Sequence, residues 1–392
     1  MRSKPRALIV GGGVFGLAGA LELRRRGWRV TLLDADRLPN PRASSTAESR
    51  MVRMDYGADS FLTELASVAL AGWDAWNARW NRPVYHEVGI LLLRRDSPSP
   101  GDFEFESRAM LASRGHLVEN VDAAIMAHRF PAWRARRWAH GYFNPRAGWV
   151  EADEVVRCLA NDARRAGVRI REGVRVERLA EEGSRVTGVM DREGRAHRAD
   201  VVVVAAGAWT TAMVPWLRGA LQAVAQPVLH LEVDDPARWQ PPTFVPWAAD
   251  IAGTGWYGFP ATDDGRIKIA HHGRGIPGDP DSETPVSEES IVRCRGFLSD
   301  ALPELARARV VGRASCLYCD TFDGYFWIGR DPDRRGLVVA AGGSGHGFKF
   351  APVLGPLVAD AVGETTSRFG ERFLWRPFEG SVRTEPARYT GE

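Results

Sequence analysis

The sequence predicts an α/β protein in which a Rossmann-like domain is interleaved with an α+β domain that carries a mixed or antiparallel sheet. Near the N-terminus, a glycine-rich turn joins an apolar strand to a helix. Two later apolar runs rich in β-branched residues, 200–205 and Leu337–Ala341, also lead into glycines. Segments 221–233 and 251–272 instead alternate apolar and polar residues, as antiparallel strands do. Because the two kinds of signal occur in turn along the chain, we expect two interleaved domains.

The first unit consists of a strand, a helix and a second strand. Residues 7–10 are apolar and indicate a short strand, and residues 17–26 have a mostly apolar helical face. Gly27 ends that helix, and residues 28–33 form the second strand, which closes with Asp34. This order of elements predicts a dinucleotide site at the turn between the first strand and the helix.

The turn has the Gly-x-Gly-x-x-Gly spacing of dinucleotide-binding proteins. Gly11 permits the tight turn, Gly13 lets the backbone approach a pyrophosphate, and Gly16 lets the helix pack closely on the strand. The pyrophosphate would rest on the helix N-terminus, and Asp34 can bind a ribose hydroxyl. A lone glycine pattern is a weak signal, but here the strand, the helix and the acidic residue all occur at the right spacing.

Separated segments supply the rest of this domain, and they favour FAD as the dinucleotide. Residues 44–53 add small polar side chains and two arginines soon after the second strand. The runs 200–205 and Leu337–Ala341 indicate central parallel strands whose carboxyl ends open onto the ligand. Such interleaving is typical of flavoproteins and unusual for simple nicotinamide enzymes, so we predict an FAD-binding domain.

The predicted domain boundaries follow these strand signals. The FAD-binding domain consists of residues 1–83, 148–220 and 311–392, and the substrate domain of residues 84–147 and 221–310. The other predicted elements are a strand within 84–93, a helix at 151–165, a strand at 168–170 and a helix that Ser287 caps. The last fifteen residues, from Phe378, are polar, and we expect them to be loosely held.

Composition excludes several classes of function. Hydrophobic residues make up 44% and charged residues 26% of the 392 residues, as in ordinary globular proteins. The net charge of +3 is spread without a basic block, so we expect no nucleic-acid partner. A run of about eighteen apolar residues is absent from the sequence, so we expect no membrane span. The apolar start lacks a signal-peptide cleavage site and the C-terminus lacks a retrieval address, which together predict a cytoplasmic protein.

Four cysteines are too few for a disulfide scaffold in a chain of this length: Cys158, Cys294, Cys316 and Cys319. The last two form a lone Cys-x-x-Cys. Zinc binding would need a second pair at ligand spacing, which the sequence lacks, so we predict no metal site. A thioredoxin-type site would open a helix, whereas residues 315–322 indicate an extended strand.

Three lysines stand beside forty-nine arginines. Arginine is a permanently charged planar fork, whereas lysine is a point charge whose pKa shifts readily on burial. Lys268 and Lys349 have apolar neighbours, which favours sites that need a compact ammonium, while Lys4 lies in a polar start. The alternatives are chance survival in an arginine-rich composition, or side chains that reach from a strand or a turn into solvent.

Four motifs together resemble one protein family. They are the N-terminal glycine fingerprint, the run Ser-Arg-Met-Val-Arg-Met-Asp-Tyr-Gly at 49–57, Cys316-Leu317-Tyr318, and Gly345-His346-Gly347-Phe348-Lys349-Phe350. Segments 255–260 and 267–269 add a looser match. On these motifs, which span nearly the whole chain, the protein resembles the monomeric sarcosine oxidase family of FAD-dependent amine oxidases, within the D-amino-acid-oxidase-like superfamily. The resemblance implies a monomer that oxidises a small-molecule secondary amine by hydride transfer to FAD, with O₂ as the acceptor giving H₂O₂ and an imine that hydrolyses.

One departure from the family bears on the substrate. Residues 44–48 read Ser-Ser-Thr-Ala-Glu, where sarcosine oxidases have a histidine-containing stretch. Together with Trp239, Trp247 and Trp256, this favours a bulkier N-methyl, cyclic or fructosyl amino acid, although the tryptophans can equally belong to the core. The alternatives are a flavin-dependent dehydrogenase with another acceptor and a flavin-binding protein without turnover.

The resemblance implies a covalent link between Cys316 and the flavin 8α-methyl carbon, and it places Arg50 near the flavin ring. Cys319 has no implied role. The cofactor-binding residues predicted from the fingerprint and the resemblance are Gly11, Gly13, Val14, Phe15, Gly16, Asp34, Ser44, Ser49, Arg50, Val176, Ala206, Gly207, Cys316, Gly343, Gly345, His346, Gly347 and Lys349.

The resemblance also implies catalytic roles. Arg53 and Lys349 match a pair that binds the substrate carboxylate, the arginine through two hydrogen bonds and the lysine as a point charge. Holding that carboxylate sets the reacting carbon over flavin N5. Lys268 matches the lysine at which O₂ is activated, where a positive charge stabilises developing superoxide. Three further side chains would orient the substrate or form an aromatic wall: Tyr257, His272 and Tyr318.

Overall fold

The computed structural model describes residues 4–365, 367–378 and 385–391. The helices are α1 (Val14–Arg25), α2 (Ser60–Trp80), α3 (Phe103–Ser113), α4 (Ala123–Arg129), α5 (Ala152–Arg165), α6 (Thr210–Met213), α7 (Ile251–Thr254), α8 (Glu288–Ala301) and α9 (Ala351–Gly363). The strands are β1 (Arg6–Val10), β2 (Arg29–Leu33), β3 (Arg50–Val52), β4 (Tyr85–His86), β5 (Ile90–Arg94), β6 (Glu119–Val121), β7 (His140–Asn144), β8 (Gly148–Val150), β9 (Arg169–Arg171), β10 (Val176–Glu182), β11 (Arg185–Asp191), β12 (Ala196–Arg198), β13 (Val201–Val204), β14 (Leu221–Glu232), β15 (Trp247–Ala249), β16 (Trp256–Gly258), β17 (Arg266–His271), β18 (Ile276–Pro277), β19 (Arg309–Thr321), β20 (Trp327–Arg330) and β21 (Leu337–Ala341).

A six-stranded sheet forms the predicted Rossmann-like layer, with the strand order β20-β21-β13-β1-β2-β9. The strands from β21 to β9 run parallel, and β20 is antiparallel to β21. Helices α1, α5 and α9 pack on one face of the sheet, and the small sheet of β10, β11 and β12 packs on the other. Burial on both faces explains the continuous apolar runs of β1, β13 and β21. The carboxyl ends of these strands therefore meet at one edge, where a ligand site forms.

A second, nine-stranded sheet confirms the predicted mixed sheet. Its order is β18-β14-β17-β16-β15-β5-β7-β6. In addition, β19 pairs antiparallel with β14 along its whole length. The β15–β5 pair is parallel, while the other pairs are antiparallel. The long β14 and β19 strands run beside the glycine-rich edge of the first sheet, because the backbone of β19 at Cys319 accepts a hydrogen bond from Ser344 N at 3.0 Å. The two sheets thus meet at the ligand edge.

Tryptophans of the second sheet pack in its core rather than facing a ligand. Trp239, Trp247 and Trp256 are buried, and they lie in one apolar cluster with Phe297 of α8. Trp247 and Phe297 stack with ring centroids 5.7 Å apart. The core interpretation of these tryptophans is therefore the correct one, and they carry no information about substrate size.

The predicted strand pattern at 251–272 is wrong at its start. Residues 251–254 form the short helix α7, because Asp250 takes a left-handed backbone conformation with φ of 47° and turns the chain after β15. Gly255, with φ of +75°, ends the helix. Extended structure then begins at β16 and continues with β17, as the alternation predicted.

The chain crosses between the two sheets several times, as the interleaved prediction requires. The predicted boundary at residue 311 falls inside β19, which pairs with β14 from Leu221 to Glu232. The whole of β19 thus extends the second sheet, and the chain after it leads to β20 of the first sheet. The exact division into domains stays a prediction.

The prediction of a loosely held C-terminal segment is wrong for residues 385–389. Glu385, Ala387 and Arg388 are buried, and Arg388 donates to Gly273 O at 2.8 Å. Residues 379–384 and 392 of the same predicted segment lie outside the described residues. Polar composition suggested exposure, whereas these polar groups are paired inside the protein.

No helix in the described ranges is long and apolar enough to cross a membrane. Nor do those ranges contain a group of His, Cys, Asp and Glu side chains arranged to hold a metal ion. The four cysteines are free thiols.

Candidate active site

A cleft of about 870 Å³ opens where the carboxyl ends of β1, β2, β13 and β21 meet. It lies between the glycine turn after β1 and a second glycine-rich turn after β21. Its walls also include residues of 43–45 and of β19. The predicted residues that line it are Gly11, Gly13, Val14, Phe15, Asp34, Ser44, Arg50, Ala206, Gly207, Cys316, Tyr318, Gly343, Gly345 and Gly347.

The turn after β1 requires glycine at its first position. Gly11 has φ of +104°, and a Cβ placed there would lie 2.3 Å from the carbonyl oxygen of Ala205. The same close contact brings β1 and β13 together at the cleft floor. A side chain at this position would therefore force apart the strands that frame the ligand.

Asp34 is held at the end of β2 by donors around its carboxylate. Its Oδ2 accepts from Gly12 N at 2.6 Å, and its Oδ1 accepts from Asn40 Nδ2 at 2.9 Å. Burial raises the pKa of the Asp34 carboxyl above its usual value, while these donors favour its ionised form. This orientation suits an acceptor for a ribose hydroxyl at one end of the cleft.

Ser45 is a cleft residue that was not predicted from the sequence. Its hydroxyl accepts a hydrogen bond from Val14 N at 3.1 Å, at the first turn of α1. A helix N-terminus with exposed N–H groups is the position that phosphate prefers. Ser45 belongs to a run of small polar residues, so its residue type does not distinguish it from its neighbours in the sequence. Only its position beside the N-terminus of α1 shows that it lines the cleft.

The other end of the cleft carries a guanidinium, a thiol and an aromatic ring. Arg50 Nη2 donates to Ser44 O at 2.7 Å and lies 3.5 Å from Cys316 Sγ. Gly345, with φ of +73°, approaches Tyr318 so closely that a Cβ there would lie 2.2 Å from the ring. The second glycine turn thus fits only without a side chain at this position.

These features fit FAD. The acceptor Asp34 and the N-terminus of α1 suit the ribose and the pyrophosphate at one end of the cleft. At the other end, a glycine-lined wall lies beside Arg50 and Cys316.

Two further predicted residues lie outside the cleft lining. Gly16 lies within α1 and packs against Gly11, as predicted. Val176 does not line the cleft; it lies at the start of β10 and borders a neighbouring depression beside Asp34.

A second cavity, of about 580 Å³, adjoins the ring end of the cleft. Arg50, Gly345 and Phe348 line both spaces, so they mark the junction. The predicted residues that line the second cavity are Ser49, Arg50, Arg53, Tyr257, His272, Gly345, His346 and Lys349. Its apolar lining consists of Met51, Ala248, Ile251, Phe259 and Phe348.

Two buried basic side chains face this second cavity. Arg53 follows β3, and its guanidinium carbon lies 5.1 Å from the ring centroid of Tyr56 and 5.4 Å from that of Phe103. Its Nη1 is buried without a hydrogen-bond partner among the described residues. Lys349 is fixed through its backbone, because Trp73 of α2 donates to Lys349 O at 2.8 Å. Neither cation reaches solvent, so the alternative of a surface lysine is wrong for Lys349.

A hydrogen-bond chain fixes the Lys349 ammonium. Lys349 Nζ donates to Tyr56 Oη at 2.9 Å, and Tyr56 Oη lies 3.0 Å from His346 Nδ1. His346 Nε2 lies 2.9 Å from Gly324 O, a pure acceptor, so Nε2 carries the hydrogen and Nδ1 accepts from the tyrosine. Burial lowers the pKa of His346 to about 3, so the ring is neutral. Burial, followed by the Arg53 charge, holds the pKa of Lys349 well below its usual value.

Lys268 lies behind the cavity wall rather than in it. Its ammonium, which projects from β17, donates to Ser49 O at 2.8 Å and is buried. It also lies 5.0 Å from the ring centroid of Phe259. Burial, followed by the Arg50 charge, lowers the pKa of Lys268 to about 8. A solvent-facing Lys268 is therefore excluded, and its charge lies beside the ring end of the cleft.

The C-terminal segment supplies a site residue that was not predicted. Glu385 lines the second cavity, and its Oε1 lies 2.5 Å from His272 Nε2. Its Oε2 accepts from Ala387 N at 2.8 Å. Arg388 anchors the same segment by donating to Asp320 Oδ1 at 2.7 Å. A charged residue in a polar tail gives no local signal of such a position.

The sequence is similar to those of FAD-dependent oxidoreductases along most of its length. A family model described as FAD dependent oxidoreductase, DAO, matches residues 6–361. Monomeric sarcosine oxidase from Bacillus sp. (strain B-0618) is 26% identical over 359 residues, 90% of each chain. N-methyl-L-tryptophan oxidase from Salmonella enteritidis PT4 is 29% identical over 368 residues, which cover 92% of this chain and 95% of that protein.

A solved structure shares the fold. Fructosamine oxidase (Amadoriase II) from Aspergillus fumigatus superposes with a TM-score of 0.86 and 24% identity, over 99% of this chain and 94% of that one. At this identity the likeness concerns the fold alone.

Proposed function

Because the chain belongs to the DAO family of FAD dependent oxidoreductases, we propose that it oxidises the secondary amine of a small amino acid and uses O₂ as the acceptor. When bound, FAD would accept a hydride from the carbon beside the amine and pass the electrons to O₂, giving H₂O₂. The imine product would hydrolyse in water. The similarity to a sarcosine oxidase and an N-methyl-L-tryptophan oxidase supports this reaction class.

The observation that carries the proposal is the pair of buried basic side chains, Arg53 and Lys349, in a cavity that adjoins the cofactor cleft. Buried charges are costly unless they are paired, yet Arg53 Nη1 has no partner within the described residues. A substrate carboxylate would accept hydrogen bonds from both cations. Its binding would fix the neighbouring amine in the same cavity, beside the junction at Gly345.

The same charges favour the reactive form of the amine. A secondary amine can lose a hydride from its neighbouring carbon only when its nitrogen lone pair is free. Nearby cations and burial both disfavour an ammonium, and Arg50, Arg53 and Lys349 all line the second cavity. Arg53 and Lys349 would therefore bind the carboxylate, and the three basic groups, which outnumber the anion Glu385 in the cavity, would promote loss of the amine proton.

The lining of the cavity supports a substrate with an apolar group. Met51, Ala248, Ile251, Phe259 and Phe348 form the apolar part of its lining. An N-methyl or cyclic amino acid with an apolar side chain would remove these surfaces from water. A fructosyl group would place several hydroxyls against them, so fructosyl amino acids are the less favoured substrates.

An anaerobic screen tests the function. The holoenzyme is mixed with N-methyl, cyclic and sugar-modified amino acids, and bleaching of the flavin absorption is followed. We expect reduction by an N-methyl or cyclic amino acid, and stoichiometric H₂O₂ when air is admitted. Reduction without H₂O₂ would indicate a dehydrogenase, and a flavin that no amine reduces would contradict the proposal. The monomeric state and the cytoplasmic location stay predictions.

We also propose that Cys316 attaches the flavin covalently: a thioether to the 8α-methyl carbon would replace the S–H bond and one methyl C–H bond, and the two electrons released would pass through the flavin to O₂. Its Sγ lines the ring end of the cleft, 3.5 Å from Arg50 Nη2. The thiolate is the reactive form of cysteine. Cys319, three residues further along β19, offers a matched control, because burial raises the pKa of its thiol to about 12.

Acid precipitation measures the attachment. In the wild type and in Cys319→Ala, we expect the yellow colour to stay with the precipitated protein. In Cys316→Ala, the flavin should appear in the supernatant, because the bond to the polypeptide cannot form. Release of flavin from the wild type would show that the link does not exist.

A further inference from the structure

The C-terminal segment places a carboxylate inside the second cavity. Glu385 is 4% exposed, and it shares the cavity with Arg53, Lys349 and His272. Arg388 holds the segment in place through Gly273 O and Asp320, at 2.8 and 2.7 Å. The anion thus stands in a space whose other charged groups are cations, and a substrate that carries both a carboxylate and an amine meets charges of both signs.

Hydrogen bonding around Glu385 determines the state of His272. Glu385 Oε1 lies 2.5 Å from His272 Nε2, and Oε2 accepts from Ala387 N. The His272 hydrogen bond and the neighbouring positive charges hold the pKa of Glu385 well below its usual value in spite of its burial. An ionised carboxylate can only accept, so Nε2 of His272 carries the hydrogen. Burial, followed by the Arg388 charge, lowers the pKa of His272 to about 4, so the ring is neutral and Nδ1 has a free lone pair.

We propose that Glu385 is a positioning residue for the substrate amine, because it fixes His272 as the tautomer whose Nδ1 can accept a hydrogen bond from the amine N–H. No described residue donates a hydrogen bond to that nitrogen, and His272 lines the cavity. The backbone of the histidine is fixed as well, since His272 N donates to Gly255 O at 2.8 Å. Arg53 and Lys349 then hold the carboxylate while His272 and Glu385 hold the amine. This assignment rests on the proposed function, because it takes an amino acid as the ligand.

Two ligands that differ only in the amine group show whether Glu385 positions the amine or merely stabilises the structure of the cavity. L-Proline has a ring N–H where cyclopentanecarboxylate has a CH₂ group, and both carry the carboxylate. Binding of each ligand to the holoenzyme is measured as a change in the flavin absorption. For proline, the absorption is read under anaerobic conditions directly after mixing, before the flavin is reduced. Glu385→Gln removes the charge while it keeps the size, and a glutamine cannot accept from both His272 and Ala387 N.

We expect Glu385→Gln to raise the dissociation constant of proline about three- to tenfold, which is the loss expected for one hydrogen bond between neutral groups. The dissociation constant of cyclopentanecarboxylate should stay unchanged or fall, because an anion near its own carboxylate has been removed. Glu385→Asp, which keeps the charge, should restore part of the difference between the ligands. Arg388→Met removes the anchor of the segment that carries Glu385, and it should therefore also weaken proline more than cyclopentanecarboxylate. A parallel loss of both ligands in Glu385→Gln would overturn the proposal.

A second measurement does not depend on the substrate. Nitrogen-15 NMR of histidine-labelled holoenzyme reports the tautomer of each ring, and His272→Gln identifies the signal. We expect the Nε2-protonated form in the wild type and a mixture of tautomers in Glu385→Gln. An Nδ1-protonated His272 in the wild type would overturn the positioning role. If the tautomer is as expected but no secondary amine reduces the wild-type flavin, the proposed function fails and the Glu385–His272 arrangement stands.

Discussion

Replacing Lys268 with Met should slow reoxidation of the reduced flavin by O₂ about 10²- to 10³-fold, the size of effect seen when one preorganised electrostatic group is removed from a reacting centre. Anaerobic reduction of the same variant by substrate should stay within a few-fold of the wild-type rate. The reason is the position of Lys268, which lies behind Ser49 and outside the substrate cavity. Its charge can therefore act on a negative charge that develops on O₂, without touching the amine.

The pH dependence provides an independent check. The pKa of Lys268 is lowered to about 8, so the ammonium is present below pH 8 and is lost as the pH rises through that value. The wild-type rate constant for reoxidation should fall across this range, whereas that of Lys268→Met should be low and flat. Stopped-flow mixing of the reduced enzyme with oxygenated buffer measures both rates.

Two controls belong to this experiment. Lys4→Met makes the same substitution at an exposed lysine and should change neither half-reaction. Lys268→Arg keeps a positive charge but exchanges the compact ammonium for a planar fork, and it should recover part of the reoxidation rate. Equal losses in reduction and reoxidation for Lys268→Met would contradict the assignment, since they would indicate a general disturbance of the site.

The N-terminal unit could be predicted because its determinants are local. The glycine spacing, the apolar strand and the acidic residue at the end of β2 all lie within residues 7–34. The helix begins at Val14 rather than at residue 17, because its first turn is formed by backbone at the glycine turn, where side-chain periodicity carries no signal.

The substrate cavity could be predicted only in part. Arg53 and Lys349 were found through short motifs, but their meeting in one cavity depends on β3 and on the turn after β21, which are almost 300 residues apart in the chain. Glu385 could not be found, because its neighbours in the chain are polar and its partner His272 lies 113 positions away. The burial of Trp247 and Trp256 likewise depends on which face of the sheet α8 covers, and strand alternation does not encode this.

Replacing either Arg53 or Lys349, the pair proposed to bind the substrate carboxylate, should abolish efficient reduction of the flavin by substrate. Removal of one partner from a buried, charge-assisted pair costs about 2–5 kcal/mol, so Arg53→Met should raise the dissociation constant of the substrate about 30-fold or more. The rate of reduction should fall as well, because a carboxylate held by one cation no longer fixes the reacting carbon. Rapid-mixing titrations under anaerobic conditions separate the two effects.

The matched control for Arg53→Met is Arg266→Met. Arg266 is an exposed arginine on β17 that pairs with Asp264 at 2.8 Å, and its loss should leave substrate binding unchanged. Reoxidation by O₂ should also stay near the wild-type rate in Arg53→Met, the opposite pattern to Lys268→Met. If Arg53→Met bound the substrate with wild-type affinity, the unpaired Nη1 of Arg53 would not be a contact of the substrate carboxylate.

Lys349 adds a dependence on pH that Arg53 cannot supply. Burial and the Arg53 charge hold the pKa of Lys349 well below its usual value, while a bound carboxylate would favour its charged form. Binding of a carboxylate should therefore be accompanied by proton uptake, and affinity should fall as the pH rises through the lowered pKa. In Lys349→Met the affinity should be weaker by a similar 30-fold or more, and the linked proton uptake should disappear. Calorimetry of cyclopentanecarboxylate binding in buffers of different ionisation enthalpy measures that uptake directly, and a wild type that binds the carboxylate with no proton uptake would show that Lys349 is already charged in the free enzyme.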